Sequence, residues 1–247
     1  DEAREAGIEH FIFVTGRGKG AIEDHFDKQP ELEQMLAARG KTAELEALLR
    51  DLPPPGRTSY VRQQEPLGLG HAVWCAREVV GREPFALLLP DVLVKCPGKG
   101  CLAQMLDAYA RRGGNIIAVD PVPDDQVHLY GVVSIGKRDG NVYPIDAMIE
   151  KPKPGTAPSN LTILGRYILQ PEIFDILGEQ EKGAGGEIQL TDAMIRLLKT
   201  QPFFALEYEG ETFDCGNKLG FLRANIAYAM ERPELAEGLK AAMRKLV

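Results

Sequence analysis

The strongest constraint on the fold is an alternation of short apolar segments with longer segments whose apolar residues recur at helical spacing. One segment, PFALLLPD at residues 84–91, is almost entirely apolar and ends in an aspartate. Apolar runs of this kind are typical of strands covered on both faces, as in a parallel sheet. The alternation therefore predicts an α/β fold built on a Rossmann-like, doubly wound mixed sheet.

The pattern changes after Pro121. Two β segments at residues 130–152 surround the turn sequence Arg138–Asn141 and predict a β-hairpin. Residues 218–247 return to helical spacing. We therefore predict one domain over residues 1–247, with a β-rich insertion and a helical C-terminus.

Composition limits the kinds of partner. The 247 residues carry a net charge of −7, which argues against nonspecific binding to nucleic acid or to an anionic membrane. No apolar run approaches the length of a transmembrane helix, and the four cysteines form neither a CxxC motif nor a zinc pattern. Because the sequence shows no signal peptide, we expect a cytoplasmic protein whose cysteines are reduced thiols.

Two glycine-containing loops follow predicted strands. Gly68-Leu69-Gly70 opens a helix, where glycine lets the backbone approach a ligand and the helix N-terminus offers N–H groups to an anion; a flexible turn is the alternative. The other loop has its glycines at GxGxG rather than GxGxxG spacing, over residues 16–20. We therefore interpret that loop as a solvated turn rather than a dinucleotide site.

Two aspartates end predicted strands. Asp91 follows the most apolar strand, and ligands of open α/β sheets bind just outside the carboxyl ends of strands. A carboxylate there could hold Mg²⁺ together with substrate phosphates, or it could simply begin a turn. Asp214 could face Asp91 and complete a metal clamp, or it could cap the C-terminal helix that follows.

A glutamate and a lysine end the second strand of the predicted hairpin. Lys151 could neutralise a phosphate as a point charge. Glu150 points the opposite way in an extended chain and could accept hydrogen bonds from sugar hydroxyls. A charged hairpin end without function is the alternative for both residues.

Eight collinear motifs, which together run over essentially the whole chain, resemble the bacterial UTP–glucose-1-phosphate uridylyltransferases. The motifs are FVTGRGKGAIEDHFD, VRQQEPLGLGHAV, LLPDVL, YGVV, IEKPKPGTAPSNL, GRYIL, GAGGEIQLTDAM and FDCGNKLGF. This family joins UTP and glucose 1-phosphate to give UDP-glucose and pyrophosphate, so the resemblance implies an enzyme with these four compounds as its partners. It also implies Mg²⁺ as cofactor and assembly into homo-oligomers.

The resemblance implies a role for each matching position. Gln63 is expected to hydrogen-bond the uracil edge, and Gly68 to let the backbone meet the base. Asp91 is expected to bind Mg²⁺ as a catalytic residue, with Asp214 as its partner.

Three further positions match motifs at the hairpin. Gly131 and Glu150 are expected to contact the glucose hydroxyls. Lys151 is expected to contact the phosphates as a catalytic residue. Catalysis then consists of positioning the reactants and neutralising their charge.

The chain departs from the family pattern at its start. The family begins with a strand and a G-x-G-T-R loop that wraps the triphosphate, and the chain lacks both. We therefore expect the chain alone to be an N-terminally truncated, inactive fragment, with two strand edges left unpaired inside the sheet.

Two alternatives to a uridylyltransferase remain open from the sequence. One is a nucleotidyltransferase for another sugar phosphate or for dTTP, which a panel of substrates would distinguish. The other is a noncatalytic sugar-nucleotide-binding homologue. A G-x-G-T-R loop encoded in frame upstream would indicate an enzyme.

Overall fold

A computed structural model describes residues 1–246, so the last residue of the predicted helical tail, Val247, lies outside the described part of the chain. The described strands are β1 (Phe11–Thr15), β2 (Thr58–Arg62), β3 (Phe85–Leu88), β4 (Val92–Lys95), β5 (Asn115–Pro121), β6 (Gly131–Ile135), β7 (Val142–Glu150), β8 (Leu161–Leu169), β9 (Phe203–Glu207) and β10 (Glu211–Asp214). The helices are α1 (Glu2–Glu5), α2 (Gly20–His25), α3 (Pro30–Ala38), α4 (Thr42–Asp51), α5 (Leu69–Cys75), α6 (Arg77–Val80), α7 (Cys101–Arg112), α8 (Ile173–Leu177), α9 (Leu190–Leu197), α10 (Lys218–Ala229) and α11 (Pro233–Leu246).

The chain divides into two compact units, each built from separate stretches of sequence. Unit 1 comprises Asp1–Gly7, Pro84–Gln170 and the chain from Leu198 onward. Unit 2 comprises Ile8–Glu83 and Pro171–Leu197. The prediction of one domain over residues 1–247 stays a prediction.

Unit 1 is organised by a six-stranded mixed sheet with the order β3-β8-β5-β9-β7-β6. Only the β5–β9 pair is parallel, and the other named pairs of this sheet are antiparallel. The centre of β5, Ile116–Val119, has no exposed surface, and α7 contributes the equally buried Leu102, Met105 and Ala108. A separate antiparallel pair joins β10 to β4.

The predicted α/β class with a mixed sheet is confirmed, and the β6–β7 pair is the predicted hairpin. The parallel-sheet interpretation of residues 84–91 is wrong, because β3 forms an edge of the sheet and pairs antiparallel with β8. All four residues of β3 are half-buried. A continuous apolar run predicts that a strand will be buried, but it does not predict whether the neighbouring strand will be parallel or antiparallel.

Unit 2 contains a two-stranded parallel sheet, in which Phe11 pairs with Thr58 and Thr15 with Arg62. Phe13 stacks between Phe26 and Tyr60, with ring centroids 4.7 and 5.5 Å away. The deepest packing of this unit lies elsewhere, in the helical cluster of α5, α8 and α9. Its most buried large side chains are Ile173, Leu177, Leu190, Met194 and Leu197.

Two helices, α10 and α11, end the described chain in agreement with the predicted helical C-terminus. Asn217 is the N-cap of helix α10, and its Oδ1 accepts a hydrogen bond from the Gly220 N–H at 2.7 Å. Within residues 1–246, no helix is both long enough and apolar enough to cross a bilayer.

Candidate functional site

Asp91 lies in the turn between β3 and β4, three residues beyond the last residue of β3. The Val92 N–H donates to the Leu89 carbonyl at 3.4 Å and closes the turn. The Cys215 N–H donates to the Asp91 carbonyl at 2.7 Å, which ties this turn to the segment after β10. The backbone of Asp91 is therefore held from two directions.

Asp214 is brought to the same place by the pairing of β10 with β4, because it lies opposite Val92 in that pair. Its Oδ1 accepts from the Gly216 N–H at 2.9 Å, and its Oδ2 accepts from the Asn217 Nδ2 at 3.0 Å. The interpretation of Asp214 as a helix cap is wrong, because Asn217 caps α10. The side chain of Asp214 is instead fixed by its own turn.

The carboxylates of Asp91 and Asp214 both lie next to Gly216. A Cβ on Gly216 would lie 2.9 Å from Asp214 Oδ1 and 3.7 Å from Asp91 Oδ2. These carboxylate oxygens are therefore no more than 6.6 Å apart, the sum of those distances. A glycine at this position leaves the space between the two carboxylates open.

Two tyrosines, the half-buried Tyr130 and the buried Tyr167, feel the charge of these carboxylates. Burial raises the pKa of Tyr130, and the nearby negative charge of Asp214 raises it further. Burial also raises the pKa of Tyr167, with added contributions from the carboxylates of Glu150 and Asp91. Tyr167 in β8 therefore feels the charge of both the hairpin end and the Asp91 turn.

Gly131 and Glu150 are neighbours, since they pair in the β6–β7 hairpin. A Cβ on Gly131 would lie 3.0 Å from Glu150 Oε2. Lys151 follows at the end of β7 and is exposed, and its N–H donates to the Tyr130 carbonyl at 3.1 Å. Its φ of 46° is left-handed, a conformation that costs a non-glycine residue about 1–3 kcal/mol and that clusters at functional sites.

The donor set of this region suits a hard divalent cation. Asp91 and Asp214 supply carboxylate oxygens, and such a cation takes its remaining ligands from water and substrate phosphates. Within residues 1–246, no cluster of three or more His, Cys, Asp and Glu residues could hold a metal ion. A site of this composition is incomplete without a ligand that brings its own oxygens.

Gln63 lies in unit 2, just after β2. Its Nε2 donates to the Gly68 carbonyl and to His71 Nδ1, both at 3.1 Å. His71 is buried and stacks on Trp74. With both amide hydrogens used, the Gln63 Oε1 remains as an acceptor; within the described chain no donor to it is recorded.

The Gly68–Gly70 loop is tightly packed, so the interpretation as a flexible turn is wrong. The Gly70 N–H donates to the Ile188 carbonyl at 2.8 Å, and the Ile188 N–H donates to the Leu67 carbonyl at 2.7 Å. A Cβ on Gly68, which has a φ of 113°, would meet the Ile188 carbonyl oxygen at 2.8 Å. Close packing against the Ile188 backbone therefore explains why glycine is needed at positions 68 and 70, even without a bound ligand.

The structure therefore groups the predicted residues by unit. Unit 1 brings together Asp91, Asp214, Gly131 and Glu150, with Lys151 next in sequence, and unit 2 joins Gln63 to Gly68. Four neighbours were missed from sequence: Tyr130, Tyr167, His71 and Arg166. The charge of Arg166 inside the apolar strand LTILGRYIL was a usable signal, since buried charges are rare.

Comparison with known proteins adds to this geometry. A family model described as Nucleotidyl transferase matches residues 4–231. The UTP–glucose-1-phosphate uridylyltransferase of Bacillus subtilis (strain 168) is 49% identical over 252 residues, covering 100% of this chain and 84% of that protein.

Two solved structures are also similar. A UTP-bound UGPase from Acinetobacter baumannii has a TM-score of 0.90 at 40% identity, covering 100% of this chain and 86% of that one. A UDP-glucose pyrophosphorylase complexed with UDP-glucose has a TM-score of 0.82 at 37% identity, covering 94% and 84% of the two chains. The resemblance seen in the eight motifs is confirmed: the chain belongs to the nucleotidyl transferase family, in the branch of the UTP–glucose-1-phosphate uridylyltransferases.

Proposed function

We propose that this protein transfers the uridylyl group of UTP to glucose 1-phosphate, releasing pyrophosphate and forming UDP-glucose. The observation that carries the proposal is the pair of aspartates facing one open point beside Gly216. Relatives named for this reaction match the whole chain, which supports the choice of substrates.

We propose Mg²⁺ as the metal held by Asp91 and Asp214. Mg²⁺ usually keeps several waters and binds through one or two carboxylates plus substrate phosphates, which matches this donor set. When bound, it would neutralise negative charge on the phosphates. Asp91 and Asp214 would hold it from the turn after β3 and the end of β10.

The sugar phosphate is proposed to bind at the hairpin end. Glu150 would accept hydrogen bonds from glucose hydroxyls, and Gly131 opposite it would leave room for the ring. Lys151 would contact phosphate oxygens as a point charge. Its left-handed backbone supports this role, because an exposed lysine gains no packing that would compensate for the strained conformation.

We propose that the uracil base of UTP is recognised by residues of unit 2. The N3–H of uracil is a donor, and the Gln63 Oε1 is an acceptor whose amide is already oriented by Gly68 and His71. The glycine backbone at 68 would lie against the base.

The reaction itself asks for no covalent intermediate with the protein. A phosphate oxygen of glucose 1-phosphate attacks the α-phosphorus of UTP and forms the new P–O bond. The bond from the α-phosphorus to the bridging oxygen breaks, and that oxygen leaves with the β- and γ-phosphates as pyrophosphate. The residues named above would align the reactants and reduce the repulsion between two anions.

The test uses the protein produced from its complete coding sequence. Pyrophosphate release is measured with UTP, dTTP, ATP and CTP against glucose 1-phosphate, and with other sugar 1-phosphates against UTP. We expect UTP with glucose 1-phosphate to have the highest kcat/KM, and pyrophosphate and UDP-glucose to form in equal amounts. A preference for dTTP or another sugar would reassign the substrates, and binding without turnover would remove the enzymatic function.

Self-association and location complete the proposal. Helix α10 exposes Leu219, Phe221 and Leu222, each by more than half, which supports burial of this face against a second copy. Sedimentation should then give at least twice the mass of one polypeptide, which is 27.1 kDa for these 247 residues. A cytoplasmic location is proposed because UTP is a cytoplasmic metabolite.

A further inference from the structure

Arg166 places a charge in the interior of unit 1. It lies in β8, where only 4% of its side chain is exposed, and its Nη2 is 3.0 Å from Glu2 Oε2. Glu2 Oε1 also accepts from the Leu102 N–H at 3.1 Å, so the glutamate is tied to α7. A guanidinium buried to this degree needs such a partner, because taking a lone charge out of water is costly.

Arg166 also donates to the turn that carries Asp91, besides a 3.5 Å bond from Nη1 to the Gly165 carbonyl. Nη1 donates to the Leu89 carbonyl at 3.0 Å, and Nη2 donates to the Val92 carbonyl at 2.7 Å. These two carbonyls belong to the residues on either side of Pro90-Asp91. The Arg166 side chain therefore hydrogen-bonds both ends of the four-residue turn Leu89–Val92.

The chemistry of arginine fits this arrangement, and that of lysine does not. The planar guanidinium offers five N–H donors in a fixed fork, enough for a bidentate ion pair and two carbonyls at once. A lysine ammonium has three donors at one point and cannot span both ends of the turn. The neighbouring Leu89 N–H donates to the Gly165 carbonyl at 2.9 Å, which joins the turn to β8 itself.

We propose that Arg166, held by Glu2, is a positioning residue that sets the orientation of the Asp91 carboxylate toward the metal. This inference rests on the proposed function. The other hydrogen bonds of the turn, from Cys215 to the Asp91 carbonyl, from Val92 to Leu89 and from Leu89 to Gly165, also act on its backbone, so the backbone of the turn is what aims the Asp91 side chain. Metal ligands must be held to within about 0.5 Å of the productive geometry, so loosening the turn is expected to weaken the metal site.

The experiment compares three variants with the unaltered protein. The double variant Glu2→Gln/Arg166→Met removes both buried charges together, because Arg166→Met alone would leave Glu2 unpaired. The variant Arg166→Lys keeps the charge but not the fork. Glu179→Gln/Arg196→Gln is the control for loss of an arginine–glutamate pair, since Arg196 Nη2 donates to both Glu179 oxygens, at 2.7 and 2.8 Å, far from the Asp91 turn in sequence.

Two kinds of readout separate positioning from folding. The first is Mn²⁺ binding in the presence of UTP, measured by electron paramagnetic resonance without any turnover. The second is the split between kcat, the KM for UTP at saturating metal, and the Mg²⁺ concentration that gives half-maximal rate. Urea unfolding midpoints report stability for each variant.

For the double variant and for Arg166→Lys, we expect Mn²⁺ affinity to fall about tenfold and the half-maximal Mg²⁺ concentration to rise equally, an effect typical of outer-shell partners. The KM for UTP is expected to stay within about twofold, and the control pair to change neither metal readout. A folded Arg166→Lys or double variant with unaltered Mn²⁺ affinity would overturn the inference. If the double variant does not fold, Arg166→Lys alone decides.

The uridylyltransferase function and the role of Arg166 can be disproved independently of each other. Absence of turnover in the unaltered protein would count against the function, while Mn²⁺ binding would still report on Arg166. Equal loss of Mn²⁺ affinity in the control pair would show a general destabilisation and would also overturn the inference.

Discussion

The Asp91 turn of unit 1 and the Gln63 segment of unit 2 hold their side chains in different ways. Asp91 is restrained through its backbone, by Arg166 at 4% exposure and by the Cys215 N–H, in the unit whose strand β5 is fully buried over Ile116–Val119. Gln63 follows β2, a strand without a single buried residue. Its amide is held by two hydrogen bonds, to Gly68 and His71.

The difference matches what each region is proposed to bind. Charge on a metal and on phosphates is strong and depends steeply on distance, so its ligands benefit from a rigid frame. A base edge is read by single hydrogen bonds worth about 0.5–1.5 kcal/mol each, and a locally organised side chain suffices for that. We therefore expect changes in unit 1 to act on kcat and changes in unit 2 to act on KM.

The largest expected effect comes from Asp91→Asn. Removing the charge proposed to bind the metal should lower kcat by about 10²–10³-fold, because such electrostatic contacts act mainly on the transition state. Steady-state kinetics at saturating UTP and glucose 1-phosphate measure the loss. Asp107→Asn is the control, since Asp107 is an exposed aspartate of the same unit that pairs with Lys99. Comparable loss in both variants would contradict a special role for Asp91.

Gly68→Ala tests whether unit 2 depends on close backbone packing. The new Cβ would lie 2.8 Å from the Ile188 carbonyl oxygen, at a φ of 113°, so we expect unfolding free energy to fall by about 2–3 kcal/mol. Gly56→Ala is the matched control, with a φ of 78° and no atom within 4 Å of the added Cβ. It should lose only the strain, about 1 kcal/mol. Equal urea midpoints for the two variants would remove packing as the cause.

Gln63→Ala gives the smallest effect and tests the other side of the comparison. Loss of one hydrogen bond to the base should raise the KM for UTP about tenfold, with kcat within about threefold of the unaltered value. Gln64→Ala is the control, because Gln64 is the same residue type at the next position and is exposed. A fall in kcat with an unchanged KM would place Gln63 in the chemical step and erase the distinction between the two regions.

Much of unit 1 could be predicted from local sequence. The hairpin of β6 and β7 follows from two β segments around the turn sequence Arg138–Asn141, and its register puts Gly131 opposite Glu150. The rule that ligands gather at strand ends identified Asp91 and Asp214 as possible metal ligands, and the structure places their oxygens within 6.6 Å of each other.

The rest could not be predicted, because it depends on pairings between distant parts of the chain. Nothing local in Val92–Lys95 shows that it pairs with β10, or that β3 runs antiparallel to β8. The contact of Arg166 with Glu2 spans 164 positions, so no periodicity can reveal it. The base-reading role of Gln63 came from family resemblance alone, since a single glutamine after a strand carries no chemical signature.

The ion pair between Glu2 and Arg166 also bears on how the protein is made. Synthesis proceeds at about 5–20 residues per second, so Glu2 leaves the ribosome roughly 8–30 s before the arginine 164 positions later. Unit 1 further needs the chain from Leu198 onward, which emerges later still. Helix α1, four residues long, is too short to persist by itself over that time. Truncated translation products and ribosome-bound chains should therefore leave Asp1–Gly7 open to proteases until Arg166 and the chain from Leu198 onward have been synthesised.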